Sequence, residues 1–317
     1  MNLLKTKSIY YDDVNLISQP NYILTSRREV PQELHRIFVS PMSSIIGESF
    51  AIQAYNLGLS MVLHRFSSKE NQLKIFQKIN PKEKDRVFCS IGLNDFDHYN
   101  YLKDNGVTCF CIDVANAYLK SVVDFTDKIF EKNSTNLTMI GNIHSREGIK
   151  LYKDYPGIIC RIGIGNGSAC DTATKATGFG RGQITELEET IDEASYYGIN
   201  ICADGGIKNG ACAVKAFGLG SDYIMLGGYW KTAKEAQNVI DKEFKFWGSA
   251  SKLNQKKCGE IRRHSEGKVL EVNQEEIEPL ETLVNDLWGG ISSGVSYGGY
   301  NNLSQFIGNG VFEIKNN

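Results

Sequence analysis

No run of about 18 uninterrupted apolar residues occurs in the 317-residue sequence, so no segment reads as a membrane-spanning helix. Charge of one sign is equally scarce. Thirty-five Lys and Arg stand against 37 Asp and Glu, a formal net charge of −2, which leaves no basic footprint for nucleic acid. The opening MNLLKTKSIYYDD reaches Asp12 and Asp13 without an apolar core, unlike a secretory signal. Only 6 prolines are present, and no Pro/Gly linker or low-complexity segment divides the chain, so residues 1–317 read as one domain. Eight cysteines are too few for a disulfide scaffold. Cys89, Cys109, Cys111, Cys160 and Cys202 lie in or beside apolar runs, where a thiol acts as a small buried hydrophobe. That usage fits a reducing cytosol, and a cytoplasmic location is expected. The five histidines never pair with one another or with cysteine at zinc-ligand spacing, which argues against a metal-centred enzyme. Nor is the chain disordered, because 41% of it is hydrophobic and its charges nearly cancel.

What the sequence does contain is rhythm. Ile37–Ser40, Ser60–Leu63, Val87–Ile91, Cys109–Val114, Thr138–Gly141, Ile158–Ile162, Ile199–Ala203 and Tyr223–Leu226 are apolar on consecutive positions, as strands covered on both faces should be. Helical patterns lie between them. Tyr118, Val122, Phe125 and Ile129 form one stripe; Leu187, Ile191, Ala194 and Tyr197 form another ahead of Gly198, a C-terminal cap. Ala211–Phe217 reads as a further helix closed by Gly218. Eight strand–helix units at roughly 20–30 residue spacing predict an α/β fold, a (β/α)8 TIM barrel. Two stretches interrupt it: a glycine-rich loop at 163–183 between the sixth and seventh runs, and a basic, turn-rich flap at 244–273 beyond the eighth. Both would open from the carboxyl ends of strands, where barrels build their sites.

Gly163-Ile164-Gly165-Asn166-Gly167-Ser168-Ala169-Cys170-Asp171-Thr172 follows a strand directly. Alternate glycines let backbone N–H groups line an anion hollow or carbonyls face a cation, and equally they let a tight loop close for steric reasons alone. Cys170 is the one cysteine in a polar loop directly after a strand, where a thiol's reactivity matters. Ala203-Asp204-Gly205-Gly206-Ile207 and Leu226-Gly227-Gly228 end the last two runs, the usual place for a phosphate in a barrel. Asp204 suits either sugar hydroxyls or a helix N-cap.

Taken in order, Tyr11-Asp12-Asp13-Val14, Thr25–Val30, Pro41-Met42, Asp113-Val114-Ala115-Asn116, the Gly163–Thr172 loop, Thr177–Gly180, Asp204-Gly205-Gly206, Val214–Gly218, Met225–Gly228 and Ser265-Glu266-Gly267-Lys268 resemble the IMP dehydrogenase/GMP reductase family. Two features lie on the reductase side. Leu63 to Val87 leaves room for one helix rather than the regulatory repeats of the dehydrogenases, and Arg262–Lys268 resembles the reductase flap.

The resemblance implies NADPH-dependent reductive deamination of GMP to IMP and ammonia through a Cys170 thioimidate, with Thr172 and Glu266 relaying the proton. It implies that Ser168, Gly206, Gly227 and Gly228 hold the 5′-phosphate, that Asp204 holds the ribose, and that Arg263 and Arg65 lie near the base. Thr177, Arg27, Asp113 and Ala115 are implied for the cofactor, with no Rossmann motif. Carbonyls of Gly163, Gly165 and Cys170 are implied for a monovalent cation such as K+, and a homotetramer is implied as the assembly. A purine nucleotide is the expected partner, with neither nucleic acid nor membrane. The departures gather near the base and the nucleophile: Arg65 stands for a lysine, Asn166 for a proline, Asp171 for a threonine, Ser249-Ala250 for Met-Ser, and Ala117 for a glycine. They leave two alternatives open: the same chemistry on a modified or deoxy guanine nucleotide, or a catalytically silent purine-nucleotide binder.

Overall fold

Strands that are apolar on consecutive positions need cover on both faces, and in the computed structural model a barrel supplies it. The structure describes residues 7–93, 95–132, 137–155, 157–236, 239–240, 243–259 and 264–315. After a short β1 (Val14–Leu16) come β2 (Ile37–Val39), β3 (Ser60–Leu63), β4 (Val87–Ile91), β5 (Cys109–Asp113), β6 (Leu137–Ile143), β7 (Ile159–Ile162), β8 (Asn200–Asp204) and β9 (Tyr223–Leu226). These last eight are the eight runs of the sequence. They close in chain order into a parallel barrel, with β2 pairing β9 through Phe38↔Met225. The (β/α)8 expectation is met.

Alternation decides which side chains go where. Phe38, Val62, Phe88, Cys109, Cys111, Met139, Ile159, Cys202 and Met225 fill the barrel as one apolar plug. Their strand neighbours, among them Val39, Leu63, Cys89, Phe110, Ile140, Cys160 and Ile201, belong to the larger core shared with the helices. Those helices are α1 (Glu48–Asn56), α2 (Lys69–Ile79), α3 (Phe96–Asp104), α4 (Lys120–Lys132), α5 (Arg146–Lys150), α6 (Gln183–Tyr197) and α7 (Gly210–Leu219). Val122, Phe125 and Ile129 bury the expected stripe of α4, and Gly198 caps α6. One boundary differs. Gly218 does not end α7, which runs to Leu219 and is capped by Gly220. Gly218 is buried, and a Cβ there would lie 3.1 Å from the Phe306 ring, so this glycine serves close packing rather than termination.

Beyond β9 the chain makes an antiparallel sheet of β10 (Val239–Ile240), β11 (Glu243–Trp247) and β12 (Val269–Glu271), with α8 (Lys252–Lys257) between the last two. The sheet is tied to the barrel rim. Trp247, fully buried, donates its Nε1 to Ser43 Oγ at 3.0 Å, and Ser44 Oγ donates to the Trp247 carbonyl at 3.0 Å. After α9 (Leu280–Tyr297) and α10 (Leu303–Phe306), β13 (Phe312–Ile314) pairs antiparallel with β1. Among the described residues no helix is long and apolar enough to cross a membrane.

Candidate active site

The inward alternation continues past the apolar plug to the carboxyl ends of the strands, and there it turns polar. Asp113 follows Cys111 on the inner face of β5, Arg161 follows Ile159 on β7, and Asp204 follows Cys202 on β8. Arg161 is 5% exposed. It donates from Nη1 to Asp113 Oδ1 at 2.8 Å, and from Nη2 and Nε to Asp204 Oδ2 at 3.0 and 3.2 Å. A fourth bond runs from Nη2 to Asn142 Oδ1 at 2.9 Å. Burial works against the guanidinium charge, but Asp204, Cys111 and Asp113 more than offset it, and its pKa rises well above the ordinary arginine value. Asn142, beside a register shift in β6, returns its amide to Asp204 Oδ2 at 2.9 Å and to the Gly163 carbonyl at 2.7 Å. Asp204 is therefore no N-cap. Asn209 caps α7 instead, and the Asp204 carboxylate sits at the floor of the barrel mouth.

Above this floor lies a cavity of about 750 Å³. Its wall includes Ser168, Cys170, Thr172, Asp204, Gly206, Gly227, Gly228, Glu266, Arg65, Asp113, Ala115, Gly163 and Gly165. Thirteen of the positions singled out from the sequence thus meet in one place. Thr177 and Arg27 do not: both are exposed and outside the lining. Arg263 lies outside the described residues.

Cys170 is partly exposed to the cavity, while Cys89, Cys109, Cys111, Cys160 and Cys202 are buried. Its Sγ donates to Thr172 Oγ1 at 3.2 Å, and Thr172 Oγ1 donates to Glu266 Oε2 at 3.0 Å. Nearly a hundred residues separate Cys170 from Glu266, so the chain needs a device to bring them together. Backbone pairing provides it. Gly267 bridges antiparallel to Cys170, the Asp171 N–H donates to the Glu266 carbonyl at 2.8 Å, and the Lys268 N–H donates to the Ala169 carbonyl at 3.0 Å. The Ser251 position also bridges Gly267, locking the segment to the start of α8. A thiol, a hydroxyl and a carboxylate in series can pass a proton without moving a heavy atom.

The glycine turns form the opposite end. A Cβ at Gly163 would overlap the Asp204 carbonyl, and its φ of +147° is one that side chains avoid. Gly228 sits so close to Ser168 Oγ that any side chain there would displace the hydroxyl. Gly205 and Gly206 stand beside Asn166, and with Ser168, Gly227 and Gly228 they make this end of the cavity a glycine-lined hollow.

On the far side of the eight-stranded ring from β9, Asp113 ends β5. Arg65 sets its Nε 3.7 Å from Asp113 Oδ2 and its guanidinium 4.9 Å from the centre of the Phe66 ring. His64 accepts the Phe66 N–H on Nδ1 at 3.2 Å, and burial takes its pKa down to about 4. Ser249 and Ala250 also face the cavity. The Gly163 carbonyl accepts the Asn142 amide at 2.7 Å. Among the described residues no group of three or more His, Cys, Asp or Glu side chains could hold a metal. Arg161 and Asn142, central to the floor, were not singled out from the sequence; the inward alternation of β7, carried two residues past Ile159, is the signal for the arginine.

Comparison with known proteins matches residues 8–316 to the IMP dehydrogenase / GMP reductase domain. A GMP reductase of Aeromonas salmonicida is 31% identical over 271 residues, covering 81% of this chain and 77% of that protein. GMP reductase 1 of Mus musculus is 29% identical over 288 residues, covering 87% of this chain and 82% of its own. A GMP reductase of Caenorhabditis elegans is 28% identical over 291 residues, covering 87% and 80%.

Proposed function

The chain belongs to the IMP dehydrogenase/GMP reductase family, and on that premise we propose that it is a GMP reductase, an oxidoreductase that converts GMP to IMP and ammonia at the expense of NADPH. The observation that carries the reading is the Cys170–Thr172–Glu266 series, at 3.2 and 3.0 Å, opening on a cavity whose other end is a glycine-lined hollow.

The chemistry follows from the series. The thiol of Cys170 loses its proton through Thr172 to Glu266, and the sulfur attacks C2 of the guanine. The proton taken from the thiol is returned by the same relay to the departing amine, so the C2–N bond breaks to give ammonia and a thioimidate. The hydride that this carbon takes up would come from a bound nicotinamide dinucleotide. The C2–S bond then breaks, IMP is released, and Cys170 regains a proton from solvent. Ser168 with Gly206, Gly227 and Gly228 holds the 5′-phosphate through hydroxyl and backbone donors. Asp204, oriented by Arg161 and Asn142, accepts from the ribose hydroxyls.

The size of the cavity supports a reading in which the nicotinamide end of the cofactor enters beside the nucleotide. Its volume of about 750 Å³ lies high in the roughly 300–1,000 Å³ range of small-molecule sites. Asp113 and Ala115 stand across the mouth from the phosphate hollow, where they would face the nicotinamide end; Thr177 and Arg27 take no part in that wall. The purified protein is expected to oxidise NADPH and release ammonia when given GMP. Cys170→Ser should abolish turnover and spare nucleotide binding, and mass spectrometry of trapped mixtures should find the purine on Cys170. NADPH absorbance unchanged by GMP, dGMP and related guanine nucleotides overturns the proposal; turnover of a modified or deoxy nucleotide in preference to GMP assigns the altered base end, Arg65 with Ser249 and Ala250, to that substrate.

A further inference from the structure

Behind the nucleophile's loop lies a buried carboxyl that the proposed reaction does not use. Glu186, on the first turn of α6, is wholly inaccessible to solvent. Its Oε2 accepts the Ile164 N–H at 3.3 Å and the Asn166 Nδ2 at 3.1 Å, while Oε1 accepts the Arg181 N–H at 3.1 Å. One side chain therefore ties the loop after β7, at two points, to the turn that opens α6. Such burial is costly without those donors. Burial pushes the Glu186 carboxyl up to about 8, with the Ile164 and Arg181 N–H groups opposing it. The charged and titratable groups around it are few: the Arg181 guanidinium, itself paired with Glu189, and the Tyr11 and Tyr118 phenols.

The Asn166 end of this clasp touches the nucleotide site. A Cβ at Gly205 would lie 3.4 Å from the Asn166 Cβ, and Cys170 follows four residues later. A proline at position 166 fixes its own φ and needs no clasp. Asparagine does not, and the flanking Gly165 and Gly167 add freedom rather than remove it. The loop's rigidity must come from outside it.

We propose that Glu186 is a positioning residue for Cys170, holding the loop through Ile164 and Asn166 in the geometry in which the thiol meets Thr172. The inference rests on Cys170 as the nucleophile of the reaction proposed above. Two of its readouts, hydrogen exchange across residues 163–171 and the rate of Cys170 alkylation by iodoacetamide, need no turnover, so they separate its failure from failure of that reaction.

Four variants test it, each checked for folding by circular dichroism. Glu186→Ala and Asn166→Ala should speed exchange in the loop, change Cys170 alkylation, and lower kcat roughly ten- to a hundredfold, as expected when a reacting group shifts by about 1 Å. KM for GMP should move by less than about threefold, because only the reacting geometry is disturbed. Glu186→Gln keeps an oxygen for Ile164 and Asn166 and should retain most of kcat. Adding Asn166→Pro to Glu186→Ala should restore loop protection and kcat. If Glu186→Ala fails to fold, Asn166→Ala, which leaves the other two bonds to the carboxyl in place, carries the test. Unchanged exchange and alkylation in the folded variants overturn the proposal. So does a loss that neither the glutamine nor the proline recovers.

Discussion

Replacing Arg161 with methionine removes a cation shared by Asp113 and Asp204 while keeping most of the side chain's volume. The side chain is only 6% exposed, and its guanidinium makes four hydrogen bonds to Asp113, Asp204 and Asn142, with a fifth contact to Cys111 Sγ at 3.4 Å. Taking away one partner of a buried ion pair costs about 3–5 kcal/mol, because the remaining charge keeps its desolvation penalty and loses its compensation. Here two carboxylates are left. Arg65 remains 3.7 Å from Asp113, so Asp204 bears most of the loss. A deficit of about 4 kcal/mol is expected, which is about three powers of ten in the unfolding equilibrium and a large share of a stability of about 5–15 kcal/mol. Urea unfolding followed by far-ultraviolet circular dichroism and tryptophan fluorescence reads it as a lowered midpoint. Arg161→Lys restores the charge but not the fork and should fall between. A loss below about 1 kcal/mol, the ceiling for most solvent-exposed pairs, would refute the reading of this cluster as a buried, interdependent unit.

The relay gives a second expectation: Thr172→Ala and Glu266→Gln should each lower kcat by about 10²–10⁴, the usual contribution of a positioned proton carrier, with stability little changed; wild-type turnover in either variant removes the relay. Gly228→Ala pushes a methyl group onto Ser168 Oγ, so KM for GMP should rise by roughly five- to thirtyfold, about 1–2 kcal/mol of lost hydrogen bonding; steady-state kinetics would contradict the phosphate assignment if kcat fell and KM did not move. His64 should set an acid limb. Its folded value of about 4 lies below the ordinary 6.5, so between those values the unfolded chain takes up a proton that the folded one does not. Stability from this group is complete above pH 6.5 and is lost as pH falls towards 4. Thermal midpoints across that range should fall less steeply in His64→Gln, and parallel curves would show that His64 is not the source.

The barrel was legible because a parallel strand buried on both faces writes itself as a short, continuous apolar run, and eight such runs at regular spacing admit few folds. Glycine signals were also legible where they mark close approach, as at Gly163 and Gly228. They misled at Gly218, where the same residue type serves helix packing instead of an end. The polar floor was harder to read. Asp113 and Asp204 stood out as motif residues, but Arg161 sits inside an apolar run and shows its role only once a partner carboxylate on each of two other strands is known. Glu186 escaped for a related reason. A glutamate in the first turn of a helix is what the dipole favours on any exposed surface, and nothing local says that this one is buried against a loop about twenty residues upstream.

The same long-range pairing explains why the chain departs from its family's pattern without losing the site. Arg65 places its charge against Asp113 and its plane over Phe66; Asn166 is taken up by Glu186; Asp171, 9% exposed, lies 3.7 Å from Lys175 one helical turn on. These three replaced residues each have a partner of their own. An idle binding protein freed from selection on chemistry has no reason to keep the thiol, hydroxyl and carboxylate in hydrogen-bonded series while Arg65, Asn166 and Asp171 are each held by a partner around them. The compensation lies at Arg65, Asn166 and Asp171 and leaves the Cys170–Thr172–Glu266 series intact. On the proposed function, Arg65, Ser249 and Ala250 at the base end would shift preference among guanine nucleotides, and the measured ratio of kcat/KM for GMP against its analogues should then depart from that of the family's other reductases.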